Sequence, residues 1–120
     1  MYKRFEEIPV WQESRVLTNK IFLIIASSHK LQRDYALCDQ LKRASVSIML
    51  NIAEGFERSS NKEFAHFLNI AKGSAGEVRA ISYILLDNAY ITKKAFDEMY
   101  NGAEYISKQL SNFRKYLTKV

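Results

Sequence analysis

Breakers of regular structure are scarce in this chain. Proline occurs once, at Pro9, and glycine four times, at Gly55, Gly73, Gly76 and Gly102. Chains so poor in both residues, with periodic apolar positions, read as all-helical. Cysteine occurs once, at Cys38, so no intrachain disulfide can form. That fits a reducing compartment, and a cytoplasmic location is expected. No segment approaches the ~18 uninterrupted apolar residues of a transmembrane helix, so no membrane partner is expected. The first residues, M-Y-K-R-F-E-E-I-P-V-W, carry basic groups but no apolar core and no small-residue cleavage site, unlike a signal peptide.

Several chemistries also lack their residues. There is no Gly-rich phosphate loop. G-S-A-G, Gly73 to Gly76, matches a dinucleotide fingerprint only in composition and follows no strand. Glu63 and His66 give one Glu-x-x-His spacing. A di-metal helical site needs a second copy and two more inward carboxylates, so no metal and no cofactor is expected. A thiol in a first helical turn can have a lowered pKa, but Cys38 has no His or acid placed to activate it, and simple packing is the better reading. An enzyme is therefore not expected.

What is present is one domain over residues 1–120 with four periodic helices. They are expected over about 9–28, 36–55, 61–88 and 93–118. The first starts at Pro9, which suits a first helical turn. In the second, Leu41, Ala44, Ile48, Asn51 and Gly55 form a stripe spaced 3, 4, 3 and 4, with an asparagine on it. The third opens with S-N-K-E, Ser60 to Glu63, a capping box. Its apolar phase continues through Gly73 and Gly76, each costing roughly 1 kcal/mol against Ala. A close approach of the second helix, which offers Ala44, Ser45 and Ser47, is the expected compensation. The fourth, capped at Thr92, places Phe96, Met99, Ala103, Ile106, Leu110, Phe113 and Leu117 at a/d spacing. Short loops between long helices predict an antiparallel up-down four-helix bundle.

The second and third helices should pair with facing residue numbers summing to about 116 or 117, as short-loop antiparallel neighbours do. That register brings Gln40 and Arg43 toward Glu77 and predicts an Arg43–Glu77 pair. It also brings His66 within a turn of Asn51, where a solvated or interface histidine is a better reading than a catalytic one. Glu54 and Arg58, four apart with the acid first, suit a surface pair. Asn51 is expected to bond a neighbouring helix or loop end, and Gly55 to end its helix. N-I-A-E-G-F-E-R, Asn51 to Arg58, thus reads as the hinge of a helical hairpin.

The net charge is +5 and allows contact with nucleic acid. Lys42, Lys62, Lys72, Arg79, Lys108, Arg114, Lys115 and Lys119 are the candidate contacts. No recognition helix and no single-strand stacking platform can be read from them. Part of the C-terminal excess also suits a helix dipole. Val46, Leu50, Trp11 and the aromatic surplus exceed what one core needs, so self-association is expected.

Gln40 to Val78, from Q-L-K-R-A-S-V-S through N-I-A-E-G-F-E-R to G-S-A-G-E-V, resembles the bacterial four-helix-bundle proteins also called 23S rRNA intervening-sequence proteins. The opening F-E-E-I-P-V-W-Q and the Y-A-L-C-D-Q entry to the second helix fit the likeness, which covers nearly the whole chain. Cys38 departs from it, where Thr or Ser is expected at a helix start. The resemblance implies an up-down bundle assembling as a ring-like homopentamer. It also implies kinship with the accessory proteins of diversity-generating retroelements, basic pentamers that bind nucleic acid and a reverse transcriptase. It implies no enzymatic activity. Gln40, Arg43, Asn51, Glu54, Gly55, Arg58, Gly73, Ser74 and Glu77 carry its motif as structural or interface residues. Two functions are thus expected: an oligomeric module that binds RNA or DNA, or a scaffold for another protein.

Overall fold

A computed structural model describes residues 2–120, and among them there is no strand. A 3-10 turn, Phe5–Glu7, leads into α1, Pro9–Ala26. A short α2, His29–Gln32, precedes α3, Tyr35–Phe56. Then come α4, Asn61–Asp87, and α5, Lys93–Lys119. The four long helices build an all-α, bundle-like body of 47 × 20 × 19 Å. Neither the 3-10 turn nor α2 was expected from periodicity, because one turn of helix carries no repeat.

Side-chain caps fix most helix starts. The Ser28 hydroxyl accepts from the Leu31 amide, Asp34 from Leu37, Ser60 from Glu63 and Thr92 from Ala95. Each such cap contributes about 1 kcal/mol. Only half of the expected capping box forms at Ser60. The Glu63 carboxylate accepts from the Ser59 and Ser60 hydroxyls rather than from the Ser60 amide. Asp34, not residue 38, caps α3, which accounts for a cysteine at position 38. Cys38 is buried, and its thiol donates to the Leu31 carbonyl at 2.9 Å. Burial pushes that thiol above its ordinary pKa, with a smaller lowering by Lys42. A raised pKa is the opposite of what an activated nucleophile needs.

α4 ends in a Schellman motif. The Tyr90 amide donates to the Leu85 carbonyl at 2.8 Å, and the Ala89 amide to Leu86 at 3.1 Å. Ala89 sits at φ 57°, a left-handed position that favours glycine. Ala89→Gly is therefore expected to stabilise the fold by about 0.5–1 kcal/mol. Urea denaturation with an unchanged slope and a higher midpoint would show it; a lower midpoint would contradict it.

The core runs through Ile21, Leu41, Ile48, Leu68, Val78, Met99, Ile106 and Leu110. α3 and α4 run in opposite directions, as do α4 and α5. The α3/α4 register lies about one turn from the expected one at the hinge end. Ser47 meets Ser74 at 2.9 Å, and Gly55 lies beneath Phe64 and Phe67. α3 continues through Phe56, and the turn spans Glu57 to Ser60. Gly55 consequently does not end its helix. A Cβ there would lie 2.7 Å from the Phe67 Cβ and 2.9 Å from the Phe64 ring. The glycine exists because two helices touch at that point. α1 packs through buried Ser14 and Thr18, and the Thr18 hydroxyl reaches the Ser45 carbonyl at 3.2 Å. Trp11 is absorbed by the fold, edge-on to Phe5 at 5.1 Å.

Candidate functional site

The motif residues fall into two groups. One group holds the hinge. Glu54 accepts from Arg58 at 2.7 Å, and the Arg58 guanidinium lies 4.7 Å from the Phe67 ring centre. Glu63 is also near Arg58, at 3.9 Å. These groups are half-exposed, so each pair contributes only a few tenths of a kcal/mol.

The second group forms the outer edge of α3 and α4. The Gln40 amide donates to Glu77 at 3.3 Å. Arg43 does not reach Glu77; it pairs with Asp39 at 2.8 Å, one turn back on its own helix. A partner four residues away on the same face is always within reach, whereas Glu77 lies across a helix boundary. Asn51 does not bond a neighbouring element either. Its amide donates to the Ser47 carbonyl at 2.8 Å and lies 2.9 Å from the Ser47 hydroxyl. The link to α4 is indirect, from Asn51 through Ser47 to Ser74. Leu50 is 61% exposed and Ile70 40% exposed, on the outer sides of the same two helices. Gly73 meets nothing: a Cβ there would have no atom within 4 Å. The close approach expected at Gly73 is therefore absent within the chain. At Gly76 the only neighbour is the Arg79 Nη2, 3.8 Å away.

His66 is exposed and lies edge-on to the Phe67 ring at 5.8 Å. Among the described residues, no group of three or more His, Cys, Asp or Glu gathers as a metal site. Among the described residues, no helix is long and apolar enough to cross a membrane.

The basic candidates fall at different places on the molecule. Phe64 and Phe113 meet at 5.2 Å, so the α5 C-terminus lies beside the α3–α4 turn. Lys62, Arg114, Lys115 and Lys119 therefore gather at one end of the molecule. Lys72, Arg79 and Lys108 belong to the α4/α5 pair further along. Lys42 stands apart, its ammonium 5.3 Å from the Phe22 ring. Among the described residues, only Lys108 of these eight has an ion pair, with Glu104 at 3.8 Å.

Two features escaped the sequence reading. One is a groove of about 820 Å³ between α1 and the 88–92 turn, lined by Leu23, Ile24, Tyr90 and Ile91. There the Tyr90 hydroxyl donates to Asp34 at 2.9 Å, a bond that raises its pKa. The other is an aromatic cluster of Tyr83, Phe96 and Tyr100 with Arg79 alongside. Its signal was present as two i, i+4 steps, Arg79 to Tyr83 and Phe96 to Tyr100. Recognising it required knowing which faces of α4 and α5 meet.

Long capped helices, a continuous apolar core and a polar α3/α4 edge define an all-α bundle-like protein. Residues 6–112 match the model of the 23S rRNA-intervening sequence protein family. The chain belongs to that family. Its fold is shared by a crystal structure of a protein of unknown function from the S23 ribosomal protein family of Bacteroides thetaiotaomicron. The two superpose with a TM-score of 0.82 at 26% identity, over 88% of this chain and 95% of the other. No curated protein matches the chain significantly.

Proposed function

We propose that the four long helices form an up-down antiparallel bundle that assembles as a homo-oligomer in the cytoplasm and binds RNA or DNA without catalysing a reaction. The observation that carries this reading is the unneutralised charge. Seven of the eight candidate cations have no carboxylate partner among the described residues. Unpaired cations gathered at one end and along one helix pair suit a polyanion. Repetition of that surface around an assembly would multiply a weak contact through avidity. The α3/α4 edge suits the subunit contact. Leu50 on α3 and Ile70 on α4 are exposed, and the open space at Gly73 admits close approach by a second copy. The ring-like pentamer implied by the resemblance is one assembly such an edge could build.

Binding of a labelled RNA and a labelled duplex DNA, followed by fluorescence anisotropy across a salt series, tests the reading. The log of the affinity is expected to fall with log salt at a slope of about −4, the value for four to five neutralised phosphates. No binding of either probe at about 50 mM salt would sink it.

The same exposed Leu50 and Ile70 also favour a second reading, a scaffold for another protein with no nucleic-acid role. One stoichiometric protein partner retained after nuclease treatment, together with no nucleic-acid binding, would establish that alternative.

A further inference from the structure

We propose that Tyr83, Tyr100 and Arg79, on the α4/α5 edge, form a stacking site for the bases of a single-stranded nucleic acid. Lys72 and Lys108 on the same edge would take its phosphates. The inference rests on the nucleic-acid reading above and adds which form of nucleic acid is bound and where.

Tyr83 is 50% exposed although it belongs to an aromatic cluster. Its ring centre lies 5.0 Å from that of buried Phe96 and 5.6 Å from that of Tyr100. Phe96 and Tyr100 stack at 5.6 Å with planes 23° apart. Phe96 thus anchors a half-exposed Tyr83 and a partly buried Tyr100. A core needs no half-open ring, and a large rigid aromatic left half in water is an apt contact for another flat ring.

The charge beside the rings is mixed: Asp87, four residues after Tyr83, is exposed and has no cation partner among the described residues. The Arg79 guanidinium lies 5.9 Å from the Tyr100 ring centre and has no carboxylate partner. Its Nε is buried and makes no hydrogen bond among the described residues. The arm lies back along α4, over the bare backbone of Gly76. A Cβ at residue 76 would lie 3.8 Å from the Arg79 Nη2, in ordinary van der Waals contact. Both acids nearby on α5 are already engaged. Asp97 holds Lys93, and Glu104 holds Lys108. Lys72 stands seven residues before Arg79, and Lys108 eight after Tyr100. At 1.5 Å per residue, Lys72 lies roughly 10 Å along α4 from Arg79, and Lys108 roughly 12 Å along α5 from Tyr100. The Lys108–Glu104 pair is exposed, so a phosphate can displace the carboxylate at little cost.

A half-exposed tyrosine ring beside Arg79 and Lys72, which have no carboxylate partner among the described residues, suits a polyanion that also presents flat bases. A single strand does; a duplex keeps its base faces stacked inside. Base-on-aromatic stacking tolerates any sequence.

The test uses the full chain in its native assembly, with labelled U20, dT20 and a 20-base-pair duplex DNA in the same buffer, and poly-glutamate as a protein-like polyanion. U20 or dT20, or both, should bind tighter than the duplex. Tyr83→Ala and Tyr100→Ala should each weaken single-strand binding by roughly 5- to 150-fold and leave duplex binding unchanged. Tyr83→Leu keeps an apolar contact on Phe96 and guards against misfolding; it should show the same loss, while Tyr83→Phe retains binding. Lys72→Ala should weaken all nucleic-acid binding and reduce the salt slope by about 1. Equal binding of strand and duplex, with Tyr83→Leu unchanged, would overturn the stacking site but leave the electrostatic reading standing. Poly-glutamate binding with the same tyrosine dependence would assign the site to a protein partner and overturn the proposal. Absence of all nucleic-acid binding would remove both readings together.

Discussion

Leu41→Ala is expected to destabilise the fold by about 2–5 kcal/mol, whereas Leu50→Ala, nine residues further along the same helix, should cost almost nothing in the monomer. The two leucines differ only in where α3 points them. Leu41 is 0% exposed and Leu50 is 61% exposed. Truncating Leu41 leaves a hole among packed neighbours that cannot fully collapse. Truncating Leu50 returns a side chain's worth of water to a surface already wet. Chemical denaturation of both variants at low protein concentration checks the contrast. The comparison acquires a second use at high concentration. If the α3/α4 edge is a subunit contact, Leu50 becomes buried on assembly, and the wild-type melting temperature rises with concentration. Leu50→Ala should then flatten that dependence and lower the mass measured by light scattering. A wild-type protein that scatters as a 13.9 kDa monomer at micromolar concentration would remove the contact altogether.

Gly55→Ala and Gly73→Ala should have opposite signs in the monomer, although both replace a helical glycine with a better helix former. At Gly55 the new methyl group meets the Phe67 Cβ at 2.7 Å and the Phe64 carbonyl at 3.3 Å, both held by backbone. Overpacking of this kind costs about 1–3 kcal/mol and outweighs the roughly 1 kcal/mol gained in propensity. The expected result is a net loss and a faster unfolding rate. At Gly73 the methyl group meets nothing. Propensity then acts alone, and the monomer gains about 0.5–1 kcal/mol. If a second copy packs on that edge, the same methyl group obstructs it, so the monomer becomes more stable while the assembly weakens. Denaturation midpoints and sedimentation of the two variants would separate these effects. A destabilised Gly73→Ala monomer would show that something within the chain closes on residue 73.

The two glycines also show how far the sequence could be read. The four long helices were legible because their apolar positions recur every three or four residues, and because Ser60 and Thr92 stand where orphan amides need acceptors. Periodicity reports which face of a helix is apolar. It does not report how far another helix lies from a given glycine. Gly73 and Gly76 were therefore expected at a contact that Gly55 makes instead. The same limit explains Arg43. Its charge demanded a carboxylate, and Asp39 supplied one locally before register could favour Glu77. The Glu54–Arg58 pair was legible for that very reason, being local. The aromatic cluster was not, because Tyr83 and Phe96 belong to different helices and meet only through the turn at Ala89.

That turn has a kinetic consequence. The richest packing in the molecule joins helices adjacent in the chain, α4 with α5 and α3 with α4. Contacts of this kind have little loop entropy to overcome, and helical proteins built from them fold in microseconds to milliseconds. α1 is the exception. It reaches α5 as well as α3, so its docking closes a loop spanning most of the chain. Its seat is correspondingly expected to form last and open first. The C-terminal hairpin, carrying Arg79 and the tyrosines, is then expected to take shape before the N-terminal helix arrives to cover its other side.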